Sequence, residues 1–232
     1  MIKKIFILVL FVSVVTAQQN DPYRILDSVK SKFMRIQDYE VDVTITVDVN
    51  FLKVPETHAK IYFKQPDKVR FMSEGFALLP KEGLNFSPTK LLNQDYTAIY
   101  TGQDTLDNNN VAILKVIPSD PESEIILTSL WIDEIDYNVR KIETTTKTTG
   151  TLQIRLKYNN KTGFSLPSKV IFSFNIADIK IPTSISGEFD KEEESAQKKK
   201  NKPMVGTVTI DYKNYKINKG IPDSIFEEQE KN

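Results

Sequence analysis

Strict alternation of apolar and polar residues recurs along this chain, and the β-strand is the regular element with a period of two. Val41, Val43, Ile45, Val47 and Val49 alternate with Asp42, Thr44, Thr46, Asp48 and Asn50. Ala59, Ile61 and Phe63 alternate with Lys60, Tyr62 and Lys64; beyond a turn at Gln65-Pro66-Asp67, Val69 and Phe71 face away from Arg70 and Met72. The pattern returns at Leu152, Ile154 and Leu156, at Val170, Phe172 and Phe174, and at Val208, Ile210 and Tyr212. Residues 96–100 and 111–117 read as strands around a turn at Asp107-Asn108-Asn109-Asn110, and 125–133 and 139–146 read as a hairpin. About ten or eleven short strands joined by turns are the spacing of a sandwich or a barrel, so the expected class is a mostly β, antiparallel domain with few helices.

One helix precedes the strands. Asp21 can cap it, and Pro22 suits its first position because the missing donor would be unpaired there anyway. Ile25, Leu26, Val29, Phe33 and Ile36 fall on one face, and the pattern predicts an end near Gln37.

Upstream of the helix, Lys3 and Lys4 precede an apolar run from Ile5, and Val15-Thr16-Ala17 offers compact residues for cleavage. This is the pattern of a secretory signal over residues 1–17, followed by a single domain over 18–232. The run is shorter than the ~20 residues that span a bilayer. The expected location is therefore outside the cytoplasm, in the periplasm or at the outer face of the envelope. The chain has no cysteine, which excludes disulfides, a thiolate metal site, a cysteine nucleophile and a lipid anchor on cysteine. Charge is balanced, 31 Lys and Arg against 31 Asp and Glu, so nothing calls for nucleic acid. Residues 190–202 (DKEEESAQKKKNK) are nearly all polar or charged and read as a solvated loop, with docking of a partner as the sharper alternative.

Catalytic chemistry finds no foothold. His58 is the only histidine and has no acid or second histidine beside it in sequence. There is no glycine-rich phosphate loop, no serine elbow and no histidine-based metal spacing. Asp133, Glu134 and Asp136 lack the glycine and alternating ligands of a calcium loop and read as a polar turn. No catalytic residue, metal or cofactor is expected.

Most strands carry one apolar face. A curved sheet can bury such a face against helices or leave a cavity for an apolar guest, and periodicity alone leaves both open. The segment with Phe76, Leu78, Leu79, Leu84 and Phe86 holds many large apolar groups around proline and glycine, which points to a lid or rim.

Several stretches resemble one family. Residues 61–70 (IYFKQPDKVR) resemble the strand, proline turn and strand of the LolA-like lipoprotein carriers. Leu130-Trp131-Ile132-Asp133 with Val139-Arg140-Lys141-Ile142 is similar to that family's later hairpin. Residues 212–218 with 221–226 are similar to its closing strand and tail, and 75–81 to lipoprotein-sorting members. The resemblance implies an incomplete, strongly curved antiparallel barrel whose concave side is covered by helices and a lid loop. It implies a monomeric carrier of the acyl chains of a lipoprotein or lipid, with membrane-bound donor and acceptor proteins. Expected cavity-lining residues are Val43, Ile45, Ile61, Phe63, Phe71 and Trp131; expected lid or rim residues are Gln65, Phe76, Leu78, Leu79, Leu84 and Phe86. The family's carriers place an Arg before the turn proline, where it donates to backbone carbonyls. Gln65 stands here and lacks the charged fork. The family's Asp-Gly turn and the aromatic strand after it are also missing, and the segment from Phe76 to Phe86 takes their place. The alternative is a non-enzymatic envelope sensor or interaction scaffold with a filled core.

Overall fold

The computed structural model describes residues 21–49, 52–73, 95–148, 150–159, 163–175 and 205–227. The expected signal, the lid segment around Phe76–Phe86 and the charged run at 190–202 lie outside them. Helix α1 (Pro22–Met34) is capped by the Asp21 side chain, which accepts from the Tyr23 N–H at 3.0 Å. It ends three residues before Gln37 because the chain tightens there. The Ile36 N–H reaches back to the Phe33 carbonyl, and the Gln37 side-chain amide takes the Met34 carbonyl.

Eleven strands follow: β1 (Asp38–Val49), β2 (Leu52–Lys53), β3 (Thr57–Lys64), β4 (Lys68–Ser73), β5 (Tyr96–Leu106), β6 (Asn109–Pro118), β7 (Ile125–Asp133), β8 (Val139–Thr146), β9 (Thr151–Lys157), β10 (Lys169–Asn175) and β11 (Val205–Ile217). A short helix, α2 (Ser224–Glu227), closes the series. The strands form one antiparallel sheet in the order β4-β3-β1-β11-β10-β9-β8-β7-β6-β5, with β2 paired to β1 off this path. From β5 to β11 the chain is a plain meander. β1 then lies beside β11, and the outer edges are β4 and β5, which follow each other in sequence. The sheet is not closed; it is an open, curved half-barrel.

Its curvature has local causes. Register slips at Glu40/Asp42, Tyr100/Gly102, Ile125/Leu127 and Trp131/Ile132 bend the strands where they occur. At the first, Asn214 takes φ +56°; at the second, Gly102 takes φ +146°, a conformation side chains resist. The β5–β6 turn needs two residues only, Asp107 and Asn108, both at positive φ, as tight hairpins prefer. That is why β6 begins at Asn109, earlier than the alternation predicts.

Helix α1 lies in the concavity and reaches from the β5 edge to β3. At its start, Tyr23 stacks on Tyr96 of β5, and its hydroxyl accepts from the edge N–H of Ala98 at 3.2 Å. At its end, Phe33 meets Phe63 of β3, centroids 5.5 Å apart, and Lys32 donates to the Asp136 carbonyl. Leu26 and Val29 join the core formed by the inward residues of the sheet.

The two ends of the half-barrel differ. At one end the connections are short: Gln65-Pro66-Asp67 with a cis Gln65–Pro66 bond, Asp107-Asn108, and the turn at 134–138. The tail also crosses this end. Asp38, 6% exposed, accepts from the N–H groups of Lys219 (2.8 Å) and Gly220 (3.0 Å), while Asn218 accepts from Gln37 N–H at 2.8 Å and donates to Arg35 O at 3.0 Å. Lys64 and Lys68 pair with Asp223, and Arg70 donates to the Ile225 carbonyl. Lys68 and Arg70 alternate with inward Val69 and Phe71, so α2 rests on the outer face of β4. At the other end, β4 stops and β5 starts.

Asp38→Ala leaves the Lys219 and Gly220 donors without their acceptor. We expect it to lower stability by about 2 kcal/mol in urea unfolding and to speed proteolysis of the tail before that of the sheet.

Candidate functional site: the inner face of the half-barrel

Alternation gives the sheet two unlike faces. Its ion pairs stand on the outer face: Lys60–Asp42 at 2.7 Å, Lys169–Asp211 at 2.9 Å and Lys141–Glu143 at 2.7 Å. His58 is there too, exposed, with its ring 3.3 Å from the Thr44 hydroxyl and 3.5 Å from Glu56. Among the described residues, no group of three His, Asp or Glu side chains is placed to hold a metal ion.

The inner face is apolar and continuous. Strand register puts Val208, Phe172, Ile154, Ile142, Leu130 and Leu114 side by side on β11, β10, β9, β8, β7 and β6. At strand spacing this belt is roughly 24 Å wide. Each member is at most 5% exposed, because α1 lies over the sheet. The next row, Ile45, Ile210, Val170 and Leu156, is equally covered.

Beside the sealed belt the inner face is not closed. Leu152 and Phe174, one row beyond the belt, and Val47 and Tyr100, which flank its two ends in the same row, pack against the core yet keep part of their surface open, as does Phe71, level with Ile61 and Val41. At the short-turn end an aromatic ladder crosses the floor. Phe33 meets Phe63, Phe63 stacks on Tyr39 at 5.1 Å, Tyr39 meets Tyr215 edge-on at 5.7 Å, and Tyr215 stacks on Tyr212 at 6.0 Å. Burial pushes the Tyr39, Tyr158, Tyr212 and Tyr215 phenols up, so all four stay protonated. Each nevertheless keeps an open part.

Of the residues expected in the lining, Val43, Ile45, Ile61 and Phe63 are buried on the inner face, and Phe71 is inward and partly open. The structure does not bring Trp131 to them. Leu130 and Ile132 point in, so Trp131 points out, beside Ile113 and under the Lys141 ammonium at 4.0 Å. Gln65 sits at the short-turn end. Its side-chain amide donates to the Ile36 carbonyl at 3.1 Å, and its N–H to the Gln37 carbonyl at 2.8 Å. It thus ties the β3–β4 turn to the segment leaving α1. Phe76, Leu78, Leu79, Leu84 and Phe86 lie outside the described residues. The belt from β6 to β10 and the tyrosines were absent from the expected lining. The alternation at 152–156 and 170–174 carried the first signal; nothing local carried the second.

The short-turn end is held by one buried ion pair. Asp133 accepts from the N–H groups of Ile135 and Asp136, both at 2.9 Å, and from Arg140 at 2.8 Å; Arg140 also lies over the Tyr158 ring. Burial pushes the Asp133 carboxyl up. The Asp136 N–H, Arg140 and the Ile135 N–H outweigh it and hold the carboxyl below its usual range. The acidic cluster is therefore a turn clasp.

No family model matches the sequence. No curated protein matches it either. Solved structures do. A LolA-superfamily protein from Nitrosomonas europaea is 13% identical, with a TM-score of 0.58 over 88% of this chain and 96% of its own. A DUF1329-family protein from Desulfovibrio piger is 14% identical, with a TM-score of 0.55 over 90% and 98%. A putative outer-membrane lipoprotein-sorting domain from Vibrio parahaemolyticus is 10% identical, with a TM-score of 0.54 over 89% and 97%. The class these define is the LolA-like half-barrel. This chain has that fold in a diverged form, along nearly its whole length.

The Asp133 pair sets a pH test. A depressed folded pKa gives stability that is fully present above the unfolded value of about 3.9 and is lost as pH falls through the folded value. Asp133→Asn should cost about 3 kcal/mol at neutral pH, and the gap to wild type should shrink near pH ~3. Urea unfolding of both proteins at the two pH values checks it.

Proposed function

We propose that this chain is a non-enzymatic, extracytoplasmic binding protein that carries acyl chains of a lipid or lipoprotein in the hollow of its half-barrel. The observation that carries the reading is the set of partly open inner residues around the sealed belt: Val47, Leu152 and Phe174 at and beyond it, and Phe71 with the tyrosine ladder. Of the expected lining, Phe71 lies on this open floor, while Val43, Ile45, Ile61 and Phe63 are covered with the belt. The shared fold with a lipoprotein-sorting domain and the signal-like residues 1–17 support the same reading.

The energetics are sufficient. Each buried methylene contributes ~0.8 kcal/mol, so a long acyl chain supplies roughly 10 kcal/mol before the costs of binding. An empty apolar space costs ~24 cal/mol per Å3, so the unloaded protein gains by covering its floor. Helix α1 does this over the belt. The apolar segment bearing Phe76, Leu78, Leu79, Leu84 and Phe86 is the proposed lid, since it leaves one edge strand and leads to the other; Gln65 is a rim residue at the far end. Membrane-bound donor and acceptor proteins are the proposed partners of a monomer, and residues 190–202 are a proposed place for them to dock.

One observation favours a second reading. The belt is sealed, as in an envelope sensor or scaffold with a filled core. That reading leaves the open tyrosines and Leu152 unexplained.

Titration with the apolar fluorophore N-phenylnaphthylamine should show enhancement at micromolar protein. Leu152→Glu, at an open inner position, should abolish it, and Trp131→Ala, on the outer face, should leave it unchanged. Phe76→Ser with Leu79→Ser should speed release of the probe without changing urea stability. Native mass spectrometry of protein taken gently from its own envelope fraction should show bound lipid. A protein that carries no lipid and enhances no probe is the scaffold.

A further inference from the structure

Two of the inner tyrosines have committed hydroxyls. Tyr158 donates to the Val139 carbonyl at 3.0 Å, and Tyr215 to the Pro167 carbonyl at 2.8 Å. Tyr39 and Tyr212 do not: among the described residues neither hydroxyl has a hydrogen-bond partner, although both rings are fixed by the ladder. They come from neighbouring strands. Tyr212 sits opposite Val43 and Tyr39 opposite Ile217, with the register slip and Tyr215 between them. Both rings flank the same Tyr215 ring, Tyr39 at 5.7 Å and Tyr212 at 6.0 Å, which sets the two phenols in one part of the inner face. Two donors on fixed rings, partly open to solvent and with no acceptor among the described residues, are placed to donate to an acceptor on a ligand.

The charge around them narrows its chemistry. Lys60 and Lys216 on the flanking strands point outward and pair with Asp42 and Glu40. Arg140 is held by Asp133, and Lys32 donates to the Asp136 carbonyl. Among the described residues a carboxylate in this space would find donors and no cation left over from these pairs, and an unpaired buried charge is strongly disfavoured. An ester carbonyl needs donors only.

We propose that Tyr39 and Tyr212 form a polar subsite inside the apolar hollow that donates hydrogen bonds to the uncharged ester carbonyl of an acyl ligand. The protein then selects neutral acyl esters over free fatty-acid anions and over plain hydrocarbon. This rests on the carrier reading and names its ligand class.

Displacement of N-phenylnaphthylamine from the full chain tests it, with methyl dodecanoate, dodecanoate and tridecane as competitors. Two hydrogen bonds predict an ester affinity about tenfold above the hydrocarbon. Dodecanoate should be weakest of the three relative to its chain length. Tyr39→Phe with Tyr212→Phe keeps the rings and should bring the ester down to the hydrocarbon while leaving the hydrocarbon and the thermal midpoint unchanged. Equal affinity for ester and hydrocarbon in wild type, tighter binding of dodecanoate, or an ester preference that survives the double variant overturns the subsite and leaves the carrier reading standing. Failure of the probe to bind wild type at all overturns both.

Discussion

The belt through Val208, Phe172, Ile154, Ile142, Leu130 and Leu114 is continuous only because six strands keep one register. A slip of a single residue in any of them would turn a whole strand inside out, trading Leu130 for Trp131 or Ile154 for Arg155. The antiparallel meander limits that risk from β6 to β9, where each strand follows the one before it within a few residues. The β1–β11 pairing joins the two ends of the described chain. It is here that the structure spends side chains on registration: Asp38 and Asn218 clasp the tail to the start of β1, and Gln65 ties the next turn to the same place.

Curvature follows from the same strands. Slips such as those at Tyr100/Gly102 and Glu40/Asp42 bend the sheet without breaking its apolar row, and the bend makes the inner face concave enough to take a helix. Helix α1, about 20 Å long, spans from the β5 edge to β3 and is anchored at its ends by Tyr23 and Phe33. It cannot cover the whole floor. The outer face carries ion pairs, such as Lys60–Asp42, that add little stability each.

The fold was largely legible, because period-two alternation, a helix cap and turn residues are local signals. The helix end was misread by three residues, since Ile36 keeps the helical spacing after the backbone has left the helix. The site was less legible. In Leu130-Trp131-Ile132 all three residues are apolar, so composition does not say which of them points in; pairing with Leu114 and Ile142 decides it. Tyr39 and Tyr212 are far apart in the chain and meet only through β1–β11 pairing and the slip at Asn214, which no local pattern announces. Gln65 was flagged as a weakened donor, and it does donate to a backbone carbonyl, that of Ile36.

The polar groups on the inner face also bear on what the hollow is for. A space meant only to be filled by its own side chains gains nothing from the Tyr39 and Tyr212 hydroxyls; phenylalanine would pack the same ladder. Thr128 and Thr144, also inward, show how the fold treats such groups elsewhere: their hydroxyls are 3.2 Å apart and satisfy each other. Tyr158 and Tyr215 are satisfied by loop carbonyls. Tyr39 and Tyr212 differ from Tyr158 and Tyr215 in having no such partner among the described residues, while both rings stay fixed in the ladder.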